Sequence, residues 1–263
     1  MSTTATPFYP QVTMSYVNSY KASDIPALLP AYYGPDPYDI NWIMPLHQTT
    51  LESERVKVTP FIPSLHAKEY AEQTAARPEL HRWYPIDVSS LDKILTEVEL
   101  RVRRDPTWIL FAIIDKAREG KLAGLIGLIN TSPANLSAEI GWILVFPAFQ
   151  RTYVTSNAIG LVLHYCLELP SAPQRPGLGF RRIQWTAHPD NEASRRTAKR
   201  MGFREEGVLR WSWVLPEGYE GNGIAPREGD PKSSRLGRNS VVLSLCADDW
   251  ENGGREHVEG LMT

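Results

Sequence analysis

The sequence predicts a mixed α/β fold: one sheet of six or seven strands with helices on both faces. Three observations lead there. Two apolar runs, WILFAII (Trp108 to Ile114) and LAGLIGLIN (Leu122 to Asn130), flank a charged turn from Asp115 to Gly120, so they form an antiparallel hairpin. Two later strands, Ala138 to Phe146 and Arg181 to Ala187, are each followed by a helical segment, the arrangement that gives parallel neighbours. A closing apolar run, SVVLSLC from Ser240 to Cys246, supplies another strand.

Residues 1–54 are rich in proline, tyrosine and serine and show no sustained periodicity. They read as an N-terminal arm, with Tyr32, Tyr33, Tyr38, Trp42, Ile43, Met44 and Leu46 as apolar anchors that pack it along the domain surface. The domain proper spans residues 55–250, and 251–263 form a C-terminal tail that reads as frayed. Arg55 to Phe61 alternates as a strand. Ser64 is placed to cap a first helix, and Ser90 a second carrying Leu91, Ile94, Leu95, Val98 and Val102 at helical spacing. Glycines 124 and 127 weaken the hairpin's return strand unless another backbone must come close. Asp190 or Asn191 caps the helix NEASRRTAKRMG, which Gly202 ends. Phe203 to Leu215 is a strand kinked at Gly207, and a long polar, glycine-rich loop precedes the last strand.

Composition removes several function classes. Lys and Arg number 28 against 30 Asp and Glu, a net charge of −2, so no basic surplus marks a nucleic-acid binder. Cys166 and Cys246 both sit in apolar runs and read as buried thiols in a reducing compartment rather than a disulfide. They and six scattered histidines give no zinc-ligand spacing, so no metal is expected. No apolar run reaches the ~20 residues of a membrane helix, and the N-terminus lacks a secretory signal pattern. A cytoplasmic protein with no membrane or nucleic-acid partner is expected. Its state, monomer or homodimer, is open.

The stretch SAEIGWILVFPAFQRTYVTSNAIGLVLHYCLE, Ser137 to Glu168, organises the rest. Its strand ends at Pro147. Its helix shows Ala158, Leu161, Val162, Tyr165 and Leu169 at amphipathic spacing. A strand feeding a helix through a short loop points free N–H groups and the positive end of the helix dipole at one place, which suits a phosphate. The plainer alternative is an ordinary βα unit with no ligand.

Three segments resemble the GNAT superfamily of N-acetyltransferases, in its RimJ/RimL-like branch and in a fungal-looking version. They are AEIGWILVFPAFQRTYVTSNAIGLVL, RRIQWTAHPDNEASRRTAKRMGF and the EEGVLR that follows. The likeness covers roughly Arg55 to Trp250. It implies acetyl-CoA as cosubstrate, a central parallel strand pair splayed at the acyl-CoA site, and transfer of an acetyl group to a primary amine by direct attack in a ternary complex. It places the pantetheine arm along Gly141 to Phe146 and the pyrophosphate on Gln150, Arg151, Thr152, Tyr153, Val154, Thr155 and Ser156. One departure stands out: the family loop reads Q/R-x-x-G-x-G/A, and here Tyr153 and Thr155 occupy the two small positions. A Cβ there restricts φ and crowds a ligand.

Within that resemblance Glu139 is the candidate base, against the alternative of a surface or salt-bridged glutamate at a strand end. Backbone N–H groups near Leu144 and Val145 are the candidate oxyanion donors. Asn191 would bind pantetheine and Ser194 would protonate the thiolate; the alternative is an N-cap asparagine and a first-turn serine. Arg195 and Arg196 face solvent or reach the 3′-phosphate. Tyr165 reads as core. His188 reads as loop, with a base as its alternative. Trp83, Tyr84, Trp211 and Trp213 line the acceptor pocket, which suits a flat or apolar amine. The acceptor is a small-molecule amine or a peptide N-terminus. A non-catalytic acyl-CoA-binding module is the remaining alternative.

Overall fold

A computed structural model describes residues 32–47 and 49–263; the expectation for the first part of the arm lies outside them. Seven strands form one sheet in the order β1-β2-β3-β4-β5-β7-β6. These are β1 (Val56–Pro60), β2 (Ile109–Asp115), β3 (Lys121–Ser132), β4 (Ser137–Val145), β5 (Arg182–Ala187), β6 (Arg204–Val214) and β7 (Gly237–Cys246). β2 and β3 form the expected hairpin, with Phe111 opposite Ile126. Only β4 and β5 pair in parallel among the described strands, with Ser137 opposite Arg182 and Ile140 opposite Trp185. After that rung the pairing stops.

Two glycines in β3 have the close neighbour their position demands. A Cβ on Gly124 would lie 2.0 Å from the Leu144 carbonyl oxygen, at φ +154°. One on Gly127 would lie 3.2 Å from the Gly141 oxygen. Both glycines let β4 approach while it bulges: Leu125 to Gly127 on β3 faces Gly141 to Leu144 on β4, two steps against three. Trp142 absorbs the bulge at φ +51°.

The helices are α1 (Pro63–Ala75), α2 (Leu91–Glu97, continued through a wider turn to Arg103), α3 (Tyr153–Leu167), α4 (Glu192–Arg200), α5 (Ala247–Asp249) and α6 (Arg255–Leu261). Ser90 caps α2 as its side chain predicts, accepting from the Lys93 N–H. Ser64 does not cap α1: Pro63 takes the first helical position, where its missing N–H costs nothing, and Ile62 precedes it. β7 begins at Gly237, three residues before the apolar run, because the pairing of Arg238 with Trp213 extends the ladder into the polar segment.

Two expectations fail for one reason. α3 is buried around its whole circumference, Ser156, Asn157 and His164 included, so it is not the amphipathic surface helix that its spacing suggested. Leu169 falls beyond it, exposed. The tail is not frayed either: α6 packs on α3 with Val258 fully buried. Glu168 at the end of α3 accepts from Trp250 Nε1 at 3.2 Å and from Arg255 Nε at 2.8 Å. The described part of the arm closes the other flank. Trp42 Nε1 donates to the Tyr165 hydroxyl, which donates to the Pro45 carbonyl at 2.8 Å.

Trp250, with no exposed surface, joins the tail to the core. Trp250→Ala should lower unfolding free energy by about 3–5 kcal/mol in urea titrations. A loss below about 1 kcal/mol would show that the C-terminal helix docks weakly.

Candidate active site

The centre of the site is set by the last rung of the parallel pair. Alternation along β5 sends Ile183, Trp185 and Ala187 to one face and Gln184 and Thr186 to the other. Glu139, opposite Gln184, shares the second face. Its carboxylate is buried at 7% exposure and has three side-chain donors. Asn130 Nδ2 and Gln184 Nε2 each donate to Oε2 at 3.2 Å, and the Thr186 hydroxyl donates to Oε1. An ionised carboxylate has about four acceptor positions, so the network orients Glu139 and leaves it room for one more donor. A strand-end surface carboxylate would have none of this.

A cavity of about 130 Å³ opens where β4 and β5 part, lined by Glu139, Trp142, Thr186, Asn191, Ser194 and Trp213 among others. A second, of about 500 Å³, lies beyond it between the Pro78–His81 turn and the loop after β6. The two share Trp83, Tyr84, His188 and Arg238. The Trp83 and His188 rings stack at 4.5 Å and 30° and form part of that common wall. His188 Nδ1 accepts from the Asp190 N–H at 3.1 Å, which puts the neutral ring's proton on Nε2. Burial, then the nearby Arg238, hold its pKa below the usual histidine range. The ring is therefore neutral at pH 7 but offers its lone pair to the loop, away from a base's task.

Asn191 is the N-cap of α4: Oδ1 accepts from the Ser194 N–H at 3.1 Å. Ser194 Oγ accepts from Trp185 Nε1 at 2.9 Å. Its own proton has no acceptor among the described residues, so it is available to the cavity. Leu144 and Val145 follow the bulge, and neither is among the lining of the two cavities. Phe146 N–H donates to Ala123 O, so alternation along the ladder turns the Leu144 N–H toward β3 and the Val145 N–H toward the gap.

The loop from Phe146 to Thr152 does without glycine by an internal network. The left-handed residue is Arg151, φ +59°, while Tyr153 is already helical, so a Cβ at Tyr153 strains nothing. Thr152 caps α3, accepting from the Val154 N–H. The Tyr153 ring is turned aside: its hydroxyl donates to the buried Asp115 at 2.7 Å and Arg55 covers its face at 4.1 Å. Gln150 Nε2 donates to Val145 O at 2.9 Å. Val154 is fully buried, and the Ser156 hydroxyl accepts from Arg200, a residue that sequence reasoning passed over. What this loop presents to a ligand is its free N–H groups at the start of α3, with Arg151 and Thr155 at its surface.

This geometry is that of a known family. The acetyltransferase (GNAT) domain model matches residues 55–204, more than half of the chain. The chain belongs to the GNAT acetyltransferase family. It is 34% identical over 97 residues to an uncharacterized N-acetyltransferase, YoaA, of Bacillus subtilis; the match covers 37% of this chain and 50% of that protein's length. Among solved structures, a GCN5-related N-acetyltransferase from Brucella melitensis superposes with TM-score 0.62 at 25% identity, over 81% of this chain and 85% of that one. Mycobacterium smegmatis RimJ, in complex with CoA-disulfide, does so with TM-score 0.56 at 19% identity, over 78% and 88%. These relatives are bacterial and give no support to the fungal cast of the sequence.

In this GNAT domain the expected pocket aromatics divide. Trp83 and Tyr84 line both cavities and Trp213 the smaller one. Trp211 lines neither: it sits at φ +53°, is 45% exposed, and lays its ring over Gly237. The local irregularity in β6 turned it out of the expected alternation. Arg195 pairs with Glu205 and Arg196 with Glu192. The residues missed were Asn130, Gln184, Thr186 and Arg238. Gln184 and Thr186 follow from period-2 alternation once β4 and β5 are paired in register, whereas Asn130 lies on β3 at a register shift, with φ +53°. Arg238 lay in a polar segment outside the expected strand.

Tyr153→Phe removes a donor from buried Asp115 and should cost about 1–3 kcal/mol of stability. Chemical denaturation measures it; an unchanged midpoint would show that the hydroxyl does not hold the loop.

Proposed function

We propose that the protein transfers an acetyl group from acetyl-CoA to the primary amine of a small molecule, by direct attack in a ternary complex. The observation that carries this reading is the buried, triply hydrogen-bonded Glu139 facing a small cavity at the parting of β4 and β5. The gap fits an acyl thioester: unpaired strand edge runs along it, the α3 N-terminus lies at one end and Glu139 near the other. Gly141 to Phe146 would hold the pantetheine. The N–H groups from Arg151 to Thr155 would take the pyrophosphate, and Asn191 Nδ2, left free by the cap, would reach the pantetheine amide.

Bound acetyl-CoA supplies an activated acyl carbon. The chain's residues do the rest. Glu139 accepts the amine proton, directly or through water. Val145 N–H, pointed into the gap, is favoured over Leu144 as oxyanion donor. Ser194, its oxygen already held by Trp185, gives its proton to the departing sulfur and takes up the proton that the attacking nitrogen sheds as the amide forms. The walls of Trp83, Tyr84 and Trp213 exclude water from the reacting atoms.

A small acceptor is favoured over a peptide N-terminus because the larger cavity, of about 500 Å³, is walled by the bulky side chains of Trp83, Tyr84, Leu215 and Tyr219. Among the described residues the arm has no part in this, since none from 32 to 53 lines either cavity. The free thiols of Cys166 and Cys246 suit a reducing compartment, so we place the reaction in the cytoplasm, with a monomer or homodimer equally compatible.

Calorimetry with acetyl-CoA tests the cosubstrate, with micromolar affinity expected; no heat at high micromolar concentrations would remove the whole reading. Thiol release over an amine panel tests turnover, and binding without release would leave an acyl-CoA-binding module. Glu139→Gln should slow turnover by ~10²–10⁴ and leave acetyl-CoA affinity within about twofold. A variant with undiminished rates from pH 6 to 9 would remove Glu139 as the base.

A further inference from the structure

Arg238 is the one strongly basic side chain shared by both cavities, and it is buried at 5% exposure. One terminal nitrogen, Nη1, donates to the Trp83 carbonyl at 2.9 Å. Nε is buried and donates to nothing, and Nη2 has no acceptor among the described residues. Nε and Nη2 form one of the two edges through which a guanidinium grips a carboxylate with two parallel bonds. Among the described residues no carboxylate pairs with Arg238 directly. Burial holds its pKa down at about 10, against a smaller opposing pull from Glu139, so it stays charged at neutral pH.

A buried guanidinium whose only direct partner is a neutral carbonyl is costly to fold. An alkyl side chain would fill β7 at that position without the cost. The other charges around the larger cavity do not answer Arg238. Glu220 pairs with Arg82 at the exposed mouth, at 3.4 Å. Asp190 is 77% exposed and lies beside His188. His81 and His188 both have pKa values lowered by burial and stay neutral.

We propose that Arg238 binds a carboxylate of the acceptor, so that the substrate class is a small amine that also carries a carboxylate, with an aromatic α-amino acid as its simplest member. Resting on the acetyltransferase reading, this names its substrate. The two charges of such a zwitterion match the two buried charges of the site. The ammonium faces Glu139, which takes its proton before attack, and the carboxylate takes the free edge of Arg238. The side chain lies against Trp83 and Tyr84, in the common wall. An amine without the anion leaves the guanidinium buried and unpaired, which is the stronger form of discrimination, since an unmatched buried charge is penalised in every complex that lacks it.

The test uses the reaction products, whose binding needs no turnover. Calorimetry compares N-acetyltryptophan with N-acetyltryptamine, N-acetylphenylalanine with N-acetylphenethylamine, and N-acetylleucine with N-acetylisoamylamine, each with and without CoA. The wild type should prefer the carboxylate member by ~10-fold or more in at least one pair. Arg238→Met should abolish that preference while unfolding at the same or a higher temperature, since it removes an unpaired buried charge. Arg238→Lys should keep the charge but lose the two-pronged grip, and its preference should fall several-fold. Equal affinities within every pair, no binding by any member, or a preference that survives Arg238→Met would overturn the proposal. Should the methionine variant fail to fold, the lysine variant decides, and an unchanged preference in it is the overturning result. Acetyl-CoA binding with turnover confined to the decarboxylated amines would end this inference and leave the acetyltransferase reading standing.

Discussion

Everything in this molecule depends on β4 and β5 pairing for four rungs and then separating. Parallel strands in a sheet ordinarily continue until one of them ends. Here β4 is bent away by a bulge that needs Trp142 in the left-handed region, and by glycines on β3 that admit its backbone. The last rungs place Glu139 beside Gln184 and near Thr186. The same separation leaves strand edge unpaired next to a buried carboxylate. A buried unpaired edge is unfavourable unless something hydrogen-bonds to it. The structural weakness and the chemical opportunity are one feature.

The loop into α3 shows how a sequence can lack a motif's glycines and keep its shape. Glycine serves two ends: freedom of φ and absence of bulk. The first is met by moving the left-handed residue to Arg151, two positions earlier. The second is met by turning the Tyr153 side chain toward β1 and β2, where Asp115 and Arg55 hold it. Asn157 then ties the first turn of α3 to the C-terminus, donating to the carbonyls of Tyr153 and Met262. The result is a loop whose rigidity comes from side chains rather than from backbone permissiveness.

Much of this was legible from residues alone. The hairpin, the two βα units, the Ser90 and Asn191 caps and the termination of β4 at Pro147 follow from local chemistry that tertiary packing does not override. Glu139 stood out as the one acid near the start of an apolar strand, beside the cleft that the family resemblance implies. Its donors did not stand out, because Asn130 and Gln184 acquire meaning only through cross-strand register. Arg238 was illegible for a related reason: a polar segment reads as loop until a neighbouring strand pairs with it. Trp211 misled because alternation was carried through an irregularity that breaks it. The burial of α3 escaped notice because periodicity reports one apolar face and is silent about polar residues that other segments satisfy.

That last point bears on the site. A helix buried all round needs several partners, and α3 draws them from both chain ends: Trp42 and Pro45 on one flank, α6 on another. Three of its buried polar residues have partners. Asn157 bonds Met262, Ser156 takes a donor from Arg200 on α4, and His164 lies between Glu168 and Trp250. With so many fixed contacts, α3 has little freedom to tilt or slide. Its N-terminus is therefore held at a fixed distance from β4, and Arg200 fixes it to the helix that carries Asn191 and Ser194. Outside the family match, the described part of the arm and α6 thus act on the site at one remove, by fixing the helix whose positive end faces the gap, while Trp213 and Arg238 line it directly.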